Sequence, residues 1–199
     1  PANEQDRNDN EDQVEVTLSE GYWLGKYEVT QREWERVMKS NPSHFNRAKL
    51  PVEQVSWEEA QEFCGKLSAP LGWEARLPSE AQWEYACRAG SEDVRYGELD
   101  DVAWYDGNSG SKTHVVGGKR ANAWGLHDML GNVFEWTGDW YGGELSGGRD
   151  PNGPTKGKFR VSPGGSWLHA ASDCRAAYRP ANPPGIRLSS VGFRVCLSP

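Results

Sequence analysis

The sequence predicts an α+β domain, loop-rich, with few helices packed on short, mostly antiparallel strands. Three observations carry that prediction. Capping boxes, in which a hydroxyl residue stands three positions before Glu or Gln, mark three helices before Gly90. After Gly90 helix signals stop, and short apolar pieces sit among Gly, Asn and Asp clusters. The 23 glycines and 12 prolines favour turns, while 10 tryptophans let a loop-rich chain bury area with few residues.

The elements follow in order. Residues 1–12 are polar and acidic and are expected to be frayed. Val14, Val16 and Leu18 alternate with polar residues, as in a strand, and residues 21–29 read as a second strand. Thr30 and Glu33 open the first helix, which ends near Lys39. Ser56 and Glu59 open the second, whose apolar stripe of Trp57, Ala60, Phe63, Cys64 and Leu67 has helical spacing and faces a core. Ser79 and Gln82 open the third, which stops before Gly90. Beyond it, residues 102–105, 115–116, 133–136, 159–161, 165–167 and 191–196 are candidate short strands. There is no internal repeat and no linker, so residues 1–199 form one domain, large enough to bury roughly 70% of its unfolded surface.

A net charge of −7 argues against a nucleic-acid partner, and no apolar run is long enough for membrane insertion. The acidic excess reads as solubilising charge, and a monomer is expected. The four cysteines, at 64, 87, 174 and 196, form no CxxC, which disfavours zinc. Spacing leaves disulfides and thiols equally open. No Gly-x-Ser-x-Gly, phosphate loop or HExxH is present, and the compartment is not legible.

Five ordered blocks carry a resemblance. They are the run from Gly21-Tyr22-Trp23-Leu24-Gly25 to Thr30; Pro51-Val52 with Val55-Ser56-Trp57; Arg76-Leu77-Pro78-Ser79-Glu80 through Ala86; Asn122 through Met129 running into Gly131-Asn132-Val133-Phe134-Glu135-Trp136; and Gly164-Gly165-Ser166-Trp167 with Arg175, Arg179 and Gly192-Phe193-Arg194. Together they resemble the formylglycine-generating-enzyme (sulfatase-modifying factor) family over nearly the whole chain. The resemblance implies an elaborated C-type-lectin-type fold, and it suggests that an N-terminal portion of the family domain is missing. The fold alone does not give the function, since the family includes oxidases, modules fused to kinases, and retroelement-diversified binding proteins.

The resemblance also implies sites. A structural Ca2+ would be held by Asp128, the carbonyls of Gly131 and Val133, and Glu135, a hard-oxygen set suited to that ion. The family's oxidases bind copper through two cysteines after Gly-Gly-Ser-aromatic, whereas this chain has Leu168-His169-Ala170-Ala171-Ser172-Asp173 there. Copper is therefore not expected, because Cu(I) selects thiolates. Pairings of Cys64 with Cys196 and Cys87 with Cys174 are implied by the family's oxidised members, against two pairs of neighbouring buried thiols. Arg175, Arg179, Arg187 and Arg194 read as framework that ties loops to carboxylates and carbonyls.

Between those anchors lie the candidate ligand-binding residues: Trp167, Leu168, His169, Ala170, Ser172, Asp173, Tyr178, Pro180, Ala181, Asn182, Pro183, Ile186, Leu188, Ser189 and Ser190. Trp104, Tyr105 and Trp140 are possible aromatic neighbours. In retroelement-diversified relatives such gaps vary, and their codons exclude Glu, Lys, Gln, Met and Trp. None of the five occurs from Leu168 to Val195. The sequence thus reads as a module that binds a protein or small-molecule ligand through its C-terminal loops. The alternative is a copper- or iron-dependent thiol oxidase using Cys174 or His169, and a third reading is a regulatory domain of a larger effector.

Overall fold

The computed structural model describes residues 4 and 6–198. All three capping boxes form. Helix α1 (Gln31–Met38) starts at Thr30, α2 (Trp57–Leu71) at Ser56 and α3 (Glu80–Arg88) at Ser79, each with both reciprocal hydrogen bonds. Each helix ends on a left-handed residue, Lys39, Gly72 or Ala89, whose N–H closes onto the last turn. Two short helical turns were not legible beforehand: α4 (Leu99–Val102) and a single 3-10 turn at Ala171–Asp173.

The strands are shorter than the apolar pieces that suggested them. They are β1 (Val16–Thr17), β2 (Trp23–Leu24), β3 (Glu74–Arg76), β4 (Ala103–Trp104), β5 (Leu130–Gly131) and β6 (Phe134–Glu135). Then come β7 (Gly148–Arg149), β8 (Arg160–Val161), β9 (Ala181–Asn182), β10 (Val191–Gly192) and β11 (Cys196–Ser198). Residues 115–116 and 165–167 form no strand. Strand β11 lies antiparallel between β2 and β3, with Cys196 opposite both Leu24 and Arg76. β8 and β9 are also antiparallel, but β1–β7, β4–β5 and β6–β10 pair in parallel. The antiparallel bias is weaker than expected, because distant loops run alongside one another instead of folding back as hairpins.

Two cores result. In the first, α1 and α2 pack on the chain's end: Trp34 stacks on Phe63 at 5.5 Å, and Phe193 meets both rings edge-on. In the second, Trp83 and Cys87 of α3 pack on Met129, Leu130 and Cys174. The irregular 122–136 segment lies between them, contributing Met129 to one core and Trp136 to the other.

Part of the first twelve residues makes contacts with the C-terminal arginines. Glu11 is buried and gives both carboxylate oxygens to Arg175, at 2.7 and 2.9 Å. Glu4 joins the same guanidinium at 2.6 Å, and the Asn10 carbonyl accepts from Arg179. A buried guanidinium needs counter-charge, and this acidic run supplies it. The segment therefore carries more than solubilising charge. Residues 1–3 and 5 lie outside the described residues.

Candidate functional site: the C-terminal loops and their frame

Gly164 and Gly165 have φ of +107° and +82°, which suits glycine, and a Cβ on Gly165 would stand 2.5 Å from Cys174 Sγ. That tight turn drives Ser166 and Trp167 inward. The Trp167 indole N–H donates to the Ser189 carbonyl at 2.9 Å, and its backbone N–H donates to Asn132 O at 2.8 Å. Ser109 Oγ donates to the Trp167 carbonyl at 2.7 Å. The bonds from Trp167 tie the 168–173 and 188–190 stretches to each other and to the 122–136 segment.

The arginines complete the frame. Arg194 is fully buried and donates to both oxygens of Glu135 at 2.6 Å, and to the carbonyls of Gly25 and His127. Arg179 forks onto Glu80 at the start of α3. Arg175 holds Glu11 and Glu4, and at the exposed surface Arg187 pairs with Glu59 at 3.0 Å. No sequence signal paired Arg175 with the first residues, because their separation is too large for any local motif.

The predicted ligand-binding residues differ in how they sit on this frame. Trp167 and Ser190 are buried and are frame themselves. Ala181 and Asn182 are held as β9 against β8, with Asn182 Nδ2 donating to Ser162 Oγ at 3.0 Å. Tyr178 and Ile186 lean on the first core, and the Ser172 carbonyl accepts from Arg175. Leu168, Ala170, Pro183 and Leu188 are exposed. His169, Asp173, Pro180 and Ser189 are half-buried. The structure thus unites the 168–173 and 188–190 stretches through Trp167, while the 180–183 stretch is anchored separately.

Among the aromatic neighbours, Trp140 sandwiches the Arg160 guanidinium with Trp57, at 3.4 and 3.6 Å from the two rings. Tyr105 hydrogen-bonds Asp100, and Trp104 stacks on His114 at 3.7 Å.

His169 packs edge-on against Phe134 at 4.6 Å, and its Nδ1 lies 2.6 Å from Ser166 Oγ. Burial lowers its pKa, against the opposing pull of Asp173 and Asp106. Ser166 is fully buried, so this pair is a packing bond and not an exposed nucleophile.

All four cysteines are buried free thiols. Burial pushes Cys64 and Cys174 up to about 12 and Cys196 to about 11, and it raises Cys87 as well. Thiols held protonated are poor nucleophiles and poor ligands for soft metals. Cys174 sits beneath Gly165 in the second core.

The residues implied for Ca2+ are only partly free. Asp128 is buried, Oδ2 accepts from Gly117 N–H, and Oδ1 has no hydrogen-bond partner. Glu28 is buried nearby, and burial raises its pKa, with Asp128 and Glu135 adding to the effect. Its oxygens accept from Asn132 Nδ2 and Val133 N–H. Glu135, Glu28 and Asp128 all act on the Arg194 guanidinium, and Asp128 Oδ1 remains an open hard-oxygen donor, although among the described residues no group of three His, Cys, Asp or Glu side chains is placed to hold a metal ion by itself. Glu135 is a weaker donor than the resemblance implied, because Arg194 and the Trp83 indole occupy its oxygens.

Residues 2–199 match the family described as sulfatase-modifying factor enzyme 1-like domain. The chain belongs to that family. Within it, the chain is 33% identical to the formylglycine-generating enzyme of Mus musculus, over 87% of this chain and 50% of that protein. It is 40% identical to the serine/threonine-protein kinase pkn1 of Chlamydia caviae, over 74% of this chain but 24% of the kinase. The chain thus spans about half or less of these two curated relatives. Among solved structures, the Treponema denticola variable protein 1 superposes with a TM-score of 0.91 at 36% identity, covering 97% of this chain and 90% of that one. This sulfatase-modifying-factor-like chain is thus similar to a variable protein as well as to a formylglycine-generating enzyme.

Proposed function

We propose that the chain is a recognition module that binds a protein or small-molecule ligand through the 168–173 and 185–190 loops. The observation that carries this reading is the split between frame and gap. The Gly-Gly-Ser-Trp turn and the arginines are locked, while Leu168, Ala170 and Leu188 between them are exposed. The likeness to a variable protein across nearly the full length supports it. Retroelement diversification of these loops is a specific version of the proposal, in keeping with the residue types absent from 168–195.

The oxidase alternative is disfavoured by chemistry: the 168–173 stretch has no cysteine, and Cys174 is a buried, protonated thiol. Anaerobic Cu(I) titration of the reduced protein tests the choice. The expected result is no stoichiometric tight site, with Cys174 unprotected against thiol reagents in denaturant. One tight equivalent that protects Cys174 would return the chain to the oxidases. A panel of candidate ligands then tests the loops directly. A ligand found this way should lose affinity on Leu168→Asp, a substitution at an exposed position that leaves the melting temperature unchanged.

Ca2+ is proposed as a structural ion held by Asp128 with backbone carbonyls of Gly131 and Val133, Glu135 being shared with Arg194. The ion would offset the excess buried carboxylate charge. A melting temperature that rises with Ca2+, and a rise abolished in Asp128→Ala, would support it. Identical melts in Ca2+ and EDTA would remove it.

A further inference from the structure

A separate concavity of about 510 Å3 lies beside Trp167, on the flank formed by the 44–50 loop and residues 112–118. The Phe45 ring joins the two regions, meeting the Trp167 ring edge-on at 5.3 Å. No residue beyond Gly118 lines the concavity, so it is independent of the C-terminal loops.

Its charge is one-sided. Arg47, Lys112, His44 and His114 line it, and among the described residues no Asp or Glu does, although the chain has 29 acidic residues. Lys119 adds a further ammonium, 4.0 Å over the Trp104 ring that forms the wall.

Its hydrogen-bonding capacity is also open. Thr113 is 3% exposed, yet its Oγ has no partner. The Trp104 indole nitrogen is buried and has none either. Leaving such a group unpaired is unfavourable, because its desolvation goes uncompensated. An indole N–H can only donate, so its missing partner must be an acceptor. His114 Nε2 lies 2.7 Å from the Ser109 carbonyl, which can only accept, so that nitrogen carries a proton and the ring is fixed against Trp104. Cationic side chains at the rim, unpaired donors in the wall and no carboxylate make a receptor for negatively charged oxygen.

We propose that this pocket binds the oxyanion group of a ligand, phosphate or carboxylate. The Trp104 N–H and Thr113 hydroxyl donate to it, and Arg47 and Lys112 neutralise it. The site is distinct from the recognition loops and does not rest on their reading.

The test is a titration of the full chain with inorganic phosphate and, separately, with acetate, at ionic strength matched by chloride. The readout is the Trp104 indole 1H–15N resonance, assigned by its loss in Trp104→Phe. Saturation by phosphate or by acetate supports the site and names the anion class. A shift that chloride alone reproduces, or no saturable shift with either anion, overturns it. Thr113→Val should raise the dissociation constant about tenfold, the effect of one lost hydrogen bond. Should that variant fold poorly, the exposed Lys112→Ala serves instead and should weaken binding several-fold; unchanged affinity there overturns the assignment. Leu168→Asp should leave phosphate binding unaltered, which separates failure of this pocket from failure of the loops.

Discussion

Asp139 shows how much a single residue can decide. It is buried, and its Oδ2 accepts from the N–H of Glu80 at the start of α3. Burial raises its pKa to about 7, and burial does the same to Glu53, also to about 7. A carboxylic acid whose pKa is higher folded than unfolded stabilises below its unfolded value. That contribution is lost as pH climbs through the folded value. The protein should therefore melt at a higher temperature at pH 5 than at pH 8. Asp139→Asn, which keeps an acceptor for α3 but cannot ionise, should flatten part of that slope. A variant slope equal to wild type would show that Asp139 is not the group responsible. The sequence did not reveal this residue, because a lone Asp in the Gly138-Asp139-Trp140 run carries no pattern; only its burial makes it unusual.

Among the elements, the helices were the most legible part, because a capping box is a local code read within four residues. Ser79→Ala should cost about 1 kcal/mol in urea unfolding, the usual value of a lost N-cap. The strands were least legible. A two-residue ladder such as β4–β5 or β6–β10 is defined by its partner, far away in sequence, and not by its own alternation. The contacts of the N-terminal segment are illegible for the same reason: its acidic residues look solvated until Arg175 is placed against them. Deleting residues 1–12 should remove both Glu4 and Glu11 and strand that guanidinium, destabilising by roughly 3–5 kcal/mol. Arg175→Met in the shortened chain should recover part of the loss. If the deletion melts like wild type, these contacts contribute nothing.

For the whole molecule, family and fold could be read from ordered blocks, because glycines with positive φ and buried arginines leave a spaced signature. The proposed binding face could be read only as gaps between anchors, and burial of Trp167 and Ser190 within those gaps was not legible. The basic concavity had no signature at all, since its residues come from two stretches with ordinary composition and from Trp104 between them.

The place of β11 sets the timetable of biosynthesis. This last strand, Cys196–Ser198, is the middle member of the sheet that joins β2 to β3. A ribosome delivers β2 long before its partner emerges, because nearly all the other elements lie between them in the chain. Nascent intermediates therefore expose an unpaired edge throughout that interval, when aggregation competes with closure. Every sequence carried in the 168–190 loops is also made before that strand. A substitution in those loops that promotes aggregation therefore acts before the sheet can close.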